Sequence, residues 1–148
     1  MEITRHFTVT TTIVHKNKVL LHFHKSLKKW LPVGGHIDRD ELPEEAALRE
    51  AKEESGLEIK LYNPDEKVKL KNSRQLLRPS LITLHNINAF HQHIDFAYFA
   101  TVKTTKLKPE SGETKNLRWF SIGEIKRLNM HEDARIRALK ALDVLGAK

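Results

Sequence analysis

Residues Gly35–Leu57 read GHIDRDELPEEAALREAKEESGL, and the helix inside this stretch decides what the rest of the chain must support. Pro43 suits the first turn of a helix, where its missing N–H costs nothing, and Gly56 suits the left-handed residue just past the end. Between them lie Ala46, Ala47, Leu48 and Ala51 with no internal glycine or proline, so the spacing predicts helix from Pro43 to Ser55. At about 100° per residue, Glu50, Glu53 and Glu54 fall on one face. Leu48, Ala51 and Ser55 fall on a neighbouring face, expected to pack against a sheet. Each like-charge pair costs only about 0.2–0.5 kcal/mol on an exposed helix, so stability neither forbids the three carboxylates nor explains them. A hard divalent cation does explain them, because carboxylate oxygens are its preferred ligands and magnesium shares its shell with water and substrate phosphates. Arg49 lies beside this face and can hold a glutamate through a paired hydrogen bond. Gly34-Gly35 is expected to turn tightly and bring a loop carbonyl to the same place, with Glu41 approaching from the loop before the helix.

Outward from the helix, Phe7–His15 alternates and is rich in Thr, Val and Ile, which predicts a strand. Lys16-Asn17-Lys18 reads as a turn into a second strand, Val19–His24, and Trp30–Val33 as a short apolar piece. Leu57–Tyr62 reads as a strand leaving the helix. Residues 63–78, with Lys67, Lys69, Lys71, Arg74 and Arg78, form a long loop or a ragged edge strand. Ser80–Phe90 and His93–Val102 contain two more strand-like runs, and Leu117–Phe120 a short one. Ser121-Ile122-Gly123-Glu124 has the form of a capping box opening a short helix. A last helix, Glu132–Leu145, offers Ile136, Leu139 and Leu142 with Ala138 as its apolar side. The expectation is one mixed α/β domain over residues 1–148, a sheet covered by helices.

Composition narrows the chemistry. The 148 residues include no cysteine, which removes thiolate zinc sites, iron–sulfur clusters and cysteine nucleophiles. Any metal must use oxygen or imidazole ligands, which leans toward magnesium, manganese or calcium. The net charge is +7, yet residues 35–57 hold eight acids against three bases, a net −5, so the remainder carries +12. A basic body draws in a polyanion, and an acidic patch holds the cations that neutralise it. No apolar run approaches the roughly 20 residues that span a bilayer, and MEITRHFTVT lacks a signal peptide's apolar core. The chain is expected to be cytoplasmic and to have no membrane partner.

The stretch resembles the complete Nudix box, the signature of the Nudix (MutT-like) hydrolases. Gly35, Glu41, Arg49, Glu50, Ala51, Glu53, Glu54, Gly56 and Leu57 each fill their place in its pattern. Ala51 is smaller than the usual aliphatic, and Val33 stands where relatives often carry proline before the two glycines. The resemblance implies the Nudix fold, an α/β/α sandwich with a mixed β-sheet. It also implies Mg²⁺- or Mn²⁺-dependent cleavage of the diphosphate linkage in a nucleoside diphosphate derivative or triphosphate, by water attack on phosphorus. Glu50, Glu54 and the Gly35 carbonyl would bind metal, and Glu53 would bind metal or the attacking water. Arg49 and Glu41 would complete the catalytic group. The general base lies in the box or in a later loop, where Glu113 comes first and Glu110 second; both also read as solvated loop acids. The basic surplus suggests an alternative, removal of pyrophosphate from an RNA 5′ end. A non-catalytic nucleotide- or RNA-binding module is a third reading, against which stands every intact acid of the box. Relatives are often homodimers, so a homodimer is an option. The family's markers for dinucleotide-cofactor, ADP-ribose and dinucleoside polyphosphate enzymes are not found, which leaves the substrate open.

Weaker signals have ordinary readings. His91-x-His93-x-Asp95 places three polar groups on one strand face, a second metal site or phosphate contact, but alternation with Ile94, Phe96 and Tyr98 inward predicts a solvent face. His22 and His24 share this ambiguity. Trp30, Phe7 and Phe90 could stack on a base, and near strand ends they read as core. The basic run from Lys67 to Arg78 could meet phosphates, and reads first as a charged edge that prevents strand pairing.

Overall fold

The computed structural model describes residues 1–110 and 116–147. Its centre is β1 (Thr4–His15), paired in parallel along one edge with β7 (His91–Thr101) from Thr4↔His91 to Val14↔Thr101. The other edge of β1 is shared by two antiparallel neighbours. Thr8–Thr11 pair with β4 (Val33–His36), and Ile13–His15 with β2 (Lys18–His24). β3 (Lys29–Leu31) and β8 (Leu117–Ser121) flank β2, while β5 (Lys60–Leu61) and β6 (Leu81–Asn88) flank β7. The sheet is therefore mixed, as expected for the α/β class.

Alternation along the two central strands sends residues to two separate cores. Val9, Ile13, Tyr98 and Ala100 face α1 (Pro43–Ser55), which lays Ala46, Ala47 and Ala51 against them. Val14 and Phe99 face the other way, toward Ile125 of α2 (Ile122–Arg127) and Ala134, Ala138, Ala141 and Leu142 of α3 (Glu132–Leu145). Helices on both faces make an α/β/α sandwich. Both helix layers press alanines onto the sheet, which brings their axes close. That close fit turns Leu48 outward, 45% exposed, contrary to the packing face expected for it, and Ile136 likewise, at 54%.

Helix boundaries follow their local chemistry. α1 starts at Pro43, with the Glu45 carboxylate accepting the Leu42 N–H at 2.8 Å, and stops at Gly56, φ +77°. Ser121 caps α2 by accepting the Glu124 N–H, and the Glu124 carboxylate accepts the Ser121 N–H. That bond holds the Glu124 carboxyl below its ordinary pKa.

Other expectations change. The strand foreseen over Leu57–Tyr62 shrinks to β5, because Leu57 is buried beneath α1 and its N–H is taken by Ser55 Oγ at 3.2 Å. Residues 63–79 form no strand, so the basic run does not guard a sheet edge. It is a loop held by Arg78 on Asp65, by Gln75 on the Val68 N–H, and by the Tyr98 hydroxyl donating to Leu77 O at 3.2 Å. Gly34 and Gly35 lie within β4 rather than in a turn, and a different constraint explains them below.

Gly56 is held twice: its φ is left-handed, and a Cβ there would lie 2.2 Å from the Lys108 carbonyl oxygen. Gly56→Ala is expected to lower unfolding free energy by about 1–3 kcal/mol, read from denaturant melts. An unchanged midpoint would show that the 108–110 segment yields easily.

Candidate active site

The carboxylates of α1 meet β4 because glycine keeps side chains out of the gap. A Cβ on Gly35 would sit 2.3 Å from Glu50 Oε1, and one on Gly34 would sit 2.2 Å from the Val9 carbonyl oxygen. Each glycine is therefore demanded by close approach, the first to a carboxylate and the second to β1. Gly34 also uses its N–H, donating to Glu54 Oε2 at 3.3 Å. Glu50, Glu53 and Glu54 are all partly buried, on a helix side that runs into the alanines touching the sheet.

Arg49 organises the group. Its Nε and Nη2 donate to the two oxygens of Glu41 at 2.6 and 2.9 Å, a forked pair. Nη1 donates to Glu50 Oε1 at 3.0 Å and Glu53 Oε2 at 3.2 Å, and Nη2 also reaches the His36 carbonyl at 3.1 Å. The guanidinium hydrogen bond holds the Glu41 carboxyl below its ordinary pKa, and Glu41 in turn raises that of Arg49. Glu41 thus serves Arg49, accepting the Asp38 N–H as well at 3.0 Å. One cation shared among three glutamates still leaves the cluster rich in oxygen donors. Carboxylates set against a strand backbone suit a hard divalent cation, and the Glu50 carboxylate lies where a Gly35 Cβ would otherwise stand.

Two neighbouring segments complete the surroundings. Lys108 N–H donates to Ser55 O and Glu110 N–H to Glu53 O, both at 2.8 Å, so residues 108–110 are strapped to the last turn of α1. Glu110 is exposed there, and Glu113 lies outside the described residues. At the first turn of α1, Glu44 borders a cleft of ≈ 530 Å³ whose other walls include Lys67, Lys69 and Arg74. That size suits a nucleotide-sized ligand.

The NUDIX domain profile matches residues 4–142. The chain belongs to the Nudix family. Among solved structures, a NUDIX-family hydrolase from Clostridium perfringens is 45% identical, with a TM-score of 0.87, covering 97% of this chain and 99% of its own. The NUDIX domain of Shewanella oneidensis NrtR, solved with ADP ribose, shares 19% identity at a TM-score of 0.69, over 96% of this chain and 89% of that one. A MutT NUDIX hydrolase from Burkholderia pseudomallei shares 22% at 0.64, over 94% and 98%. Likeness at those lower identities concerns the fold. As a Nudix protein the chain is a hydrolase acting on phosphorus anhydrides, a class that generally uses divalent metals.

The Nudix reading brought together Gly35, Glu41, Arg49, Glu50, Glu53 and Glu54. It missed the Gly34 N–H and the His36 carbonyl, both backbone groups that strand pairing with β1 would have brought into view. The other signals divide. Trp30 packs edge-to-face on Phe23 and Phe120, at 5.4 and 4.8 Å between centroids, and belongs with the core. Phe7 and Phe90 are 54% and 49% exposed, so the core reading fails for them. Asp95 does not face solvent either. It is 6% exposed and accepts Thr8 and Thr10 hydroxyls at 2.8 and 2.6 Å and Arg137 at 3.3 Å, because α3 covers that face of β7. His22 is held below its ordinary pKa by burial first and by His24 second.

Glu41 titrates lower in the folded protein than in the unfolded chain, so its contribution is complete above the unfolded value and is lost as pH falls through the folded one. Glu41→Gln is expected to cost about 1 kcal/mol at neutral pH, discounted for the partly wet Arg49. Thermal melts of the variant should also fall less steeply than wild type below about pH 4.5. Parallel acid profiles would mean that the pair carries no linkage.

Proposed function

We propose that this chain is a magnesium- or manganese-dependent pyrophosphohydrolase that cleaves the diphosphate linkage of a nucleoside diphosphate derivative or nucleoside triphosphate. The observation that carries the reading is the placement of Glu50 and Glu54 against the glycines of β4, with Arg49, gripped by Glu41, holding Glu50 and Glu53 beside them. Glu50, Glu54 and the Gly35 carbonyl are the groups that would hold the metal. When bound, it supplies neutralisation of charge developing on phosphorus and a lowered pKa for the attacking water.

The chain's own residues do the rest. Arg49, gripped by Glu41, holds Glu50 and Glu53 in place so that little reorganisation accompanies reaction. Glu53 orients water, and a later acid, Glu113 first and Glu110 of the strapped segment second, accepts its proton. Backbone bonds from Lys108 and Glu110 to the end of α1 support Glu110 by anchoring it beside the last turn of that helix. Lys67, Lys69 and Arg74 line a cleft beside Glu44, a basic wall that supports a phosphate-bearing substrate. The NrtR domain solved with ADP ribose is a nucleotide-derivative binder of the same fold, in keeping with that class.

A panel of nucleoside diphosphate derivatives and triphosphates, incubated with Mg²⁺ or Mn²⁺, tests the reading by product chromatography. Wild type should release mononucleotide or phosphate, and Glu53→Gln should lose about 100-fold or more in turnover. Glu113→Gln should lose more than about tenfold with metal affinity retained. Unchanged turnover in Glu113→Gln would return the base to the box. Activity confined to triphosphorylated RNA would favour the RNA 5′-end reading, and binding without any hydrolysis would favour a non-catalytic module.

A further inference from the structure

Five histidines gather on the sheet face opposite α1. Strand register puts them there: His6 of β1 stands beside His93 of β7, which stands beside His85 of β6, and His36 of β4 stands beside Thr8 one step along β1. His91 lies two residues before His93, on the same face. Further along that face come Asp95 with Arg137 of α3, and then the core under α2 and α3. The histidines occupy the end where His6, His36 and His85 remain exposed.

The rings are close enough to share a ligand. Centroids lie 4.6 Å apart for His6 and His91, 4.8 Å for His91 and His93, and 5.0 Å for His36 and His93. One ring nitrogen from each of His6, His91 and His93 lies within 4.8 Å of the others, and His91 Nε2 is already 2.9 Å from His6 Nδ1. His93 Nε2 is buried with no hydrogen-bond partner among the described residues. Burial first, and then the neighbouring histidines His36, His91, His6 and His85, hold the His93 ring below its ordinary pKa. Its unpartnered Nε2 can offer a lone pair to a metal.

Protonating these rings would set like charges together, and Asp95, two residues along β7 from His93, is engaged by Thr8, Thr10 and Arg137. Imidazole nitrogens as the donor set suit zinc, copper(II) or nickel(II), and suit magnesium poorly. Zinc takes imidazole nitrogens at about 2.0–2.1 Å in a tetrahedral shell, which sets them about 3.4 Å apart. Side-chain rotation, freest at the exposed His6, would close the difference from 4.8 Å.

We propose that His6, His91 and His93, with His36 as a fourth donor, form a site for an imidazole-binding divalent transition metal, zinc in the first instance, on the sheet face away from the carboxylate helix. The site ties β1, β4 and β7 together. Through His36, it grips the strand that carries Gly34 and Gly35 on its way to α1.

The test uses full-length protein freed of any affinity tag, stripped with chelator, and titrated calorimetrically with zinc under excess Mg²⁺. One zinc should bind per chain and raise the melting temperature. The His91→Gln/His93→Gln variant should lose at least about tenfold in zinc affinity, together with the thermal shift. His6→Gln, at an exposed position, should show the same loss with its circular dichroism unchanged. Glu50→Gln/Glu54→Gln should leave the zinc isotherm intact. Zinc uptake that survives the histidine substitutions, or disappears with the glutamate substitutions instead, would overturn the proposal.

Discussion

Everything at the candidate active site depends on how closely α1 can approach β4. Three alanines and Ser55 on the helix, and two glycines on the strand, remove the side chains that would hold them apart. The consequence is unusual for acidic residues on a short helix: Glu50 and Glu54 are brought against strand backbone rather than left in water. Glu54 takes the Gly34 N–H, and Glu50 fills the space a Gly35 side chain would need. Desolvating several carboxylates together is costly unless cations share the site. Arg49 is the cation the protein supplies, and the proposed divalent metal is the one it would acquire.

This balance gives the charge asymmetry of the chain a physical meaning. A −5 segment sits within a body of +12, and the basic loop bearing Lys67, Lys69 and Arg74 ends up across a cleft from the first turn of the acidic helix. The basic side chains on that cleft favour an anionic ligand. The loop keeps its place through its own Arg78–Asp65 pair and through the buried Tyr98. Burial first, and the nearby Glu44 second, push the Tyr98 phenol up to about 12, so it remains a donor to Leu77 at any physiological pH.

Local chemistry was legible in the sequence wherever the deciding residues are neighbours in the chain. Pro43 and Gly56 bound α1, Ser121 and Glu124 open α2, and the spacing of Arg49, Glu50, Glu53 and Glu54 foretold which groups converge. What required the structure was set by partners distant in sequence. Gly34 and Gly35 looked like a turn until β1 and Glu50 were seen closing on them from either side. Asp95 looked like part of a solvent face because only the packing of α3 brings Arg137 to it. Leu48 looked inward because an apolar count ignores how tightly alanines draw a helix down. The histidine cluster is the clearest case: residues from 6 to 93 meet only because four strands share one register, which pairwise spacing within any one strand does not encode.

The central claim is that side chains from one turn of α1 hold divalent ions for pyrophosphate cleavage. Its most direct test is a Mn²⁺ titration followed by electron paramagnetic resonance, on wild type and on the Glu50→Gln/Glu54→Gln protein, each shown by circular dichroism to be folded. The account predicts saturable Mn²⁺ binding in wild type that weakens at least about tenfold when the two carboxylates become amides. Equal Mn²⁺ binding by the two folded proteins would contradict it.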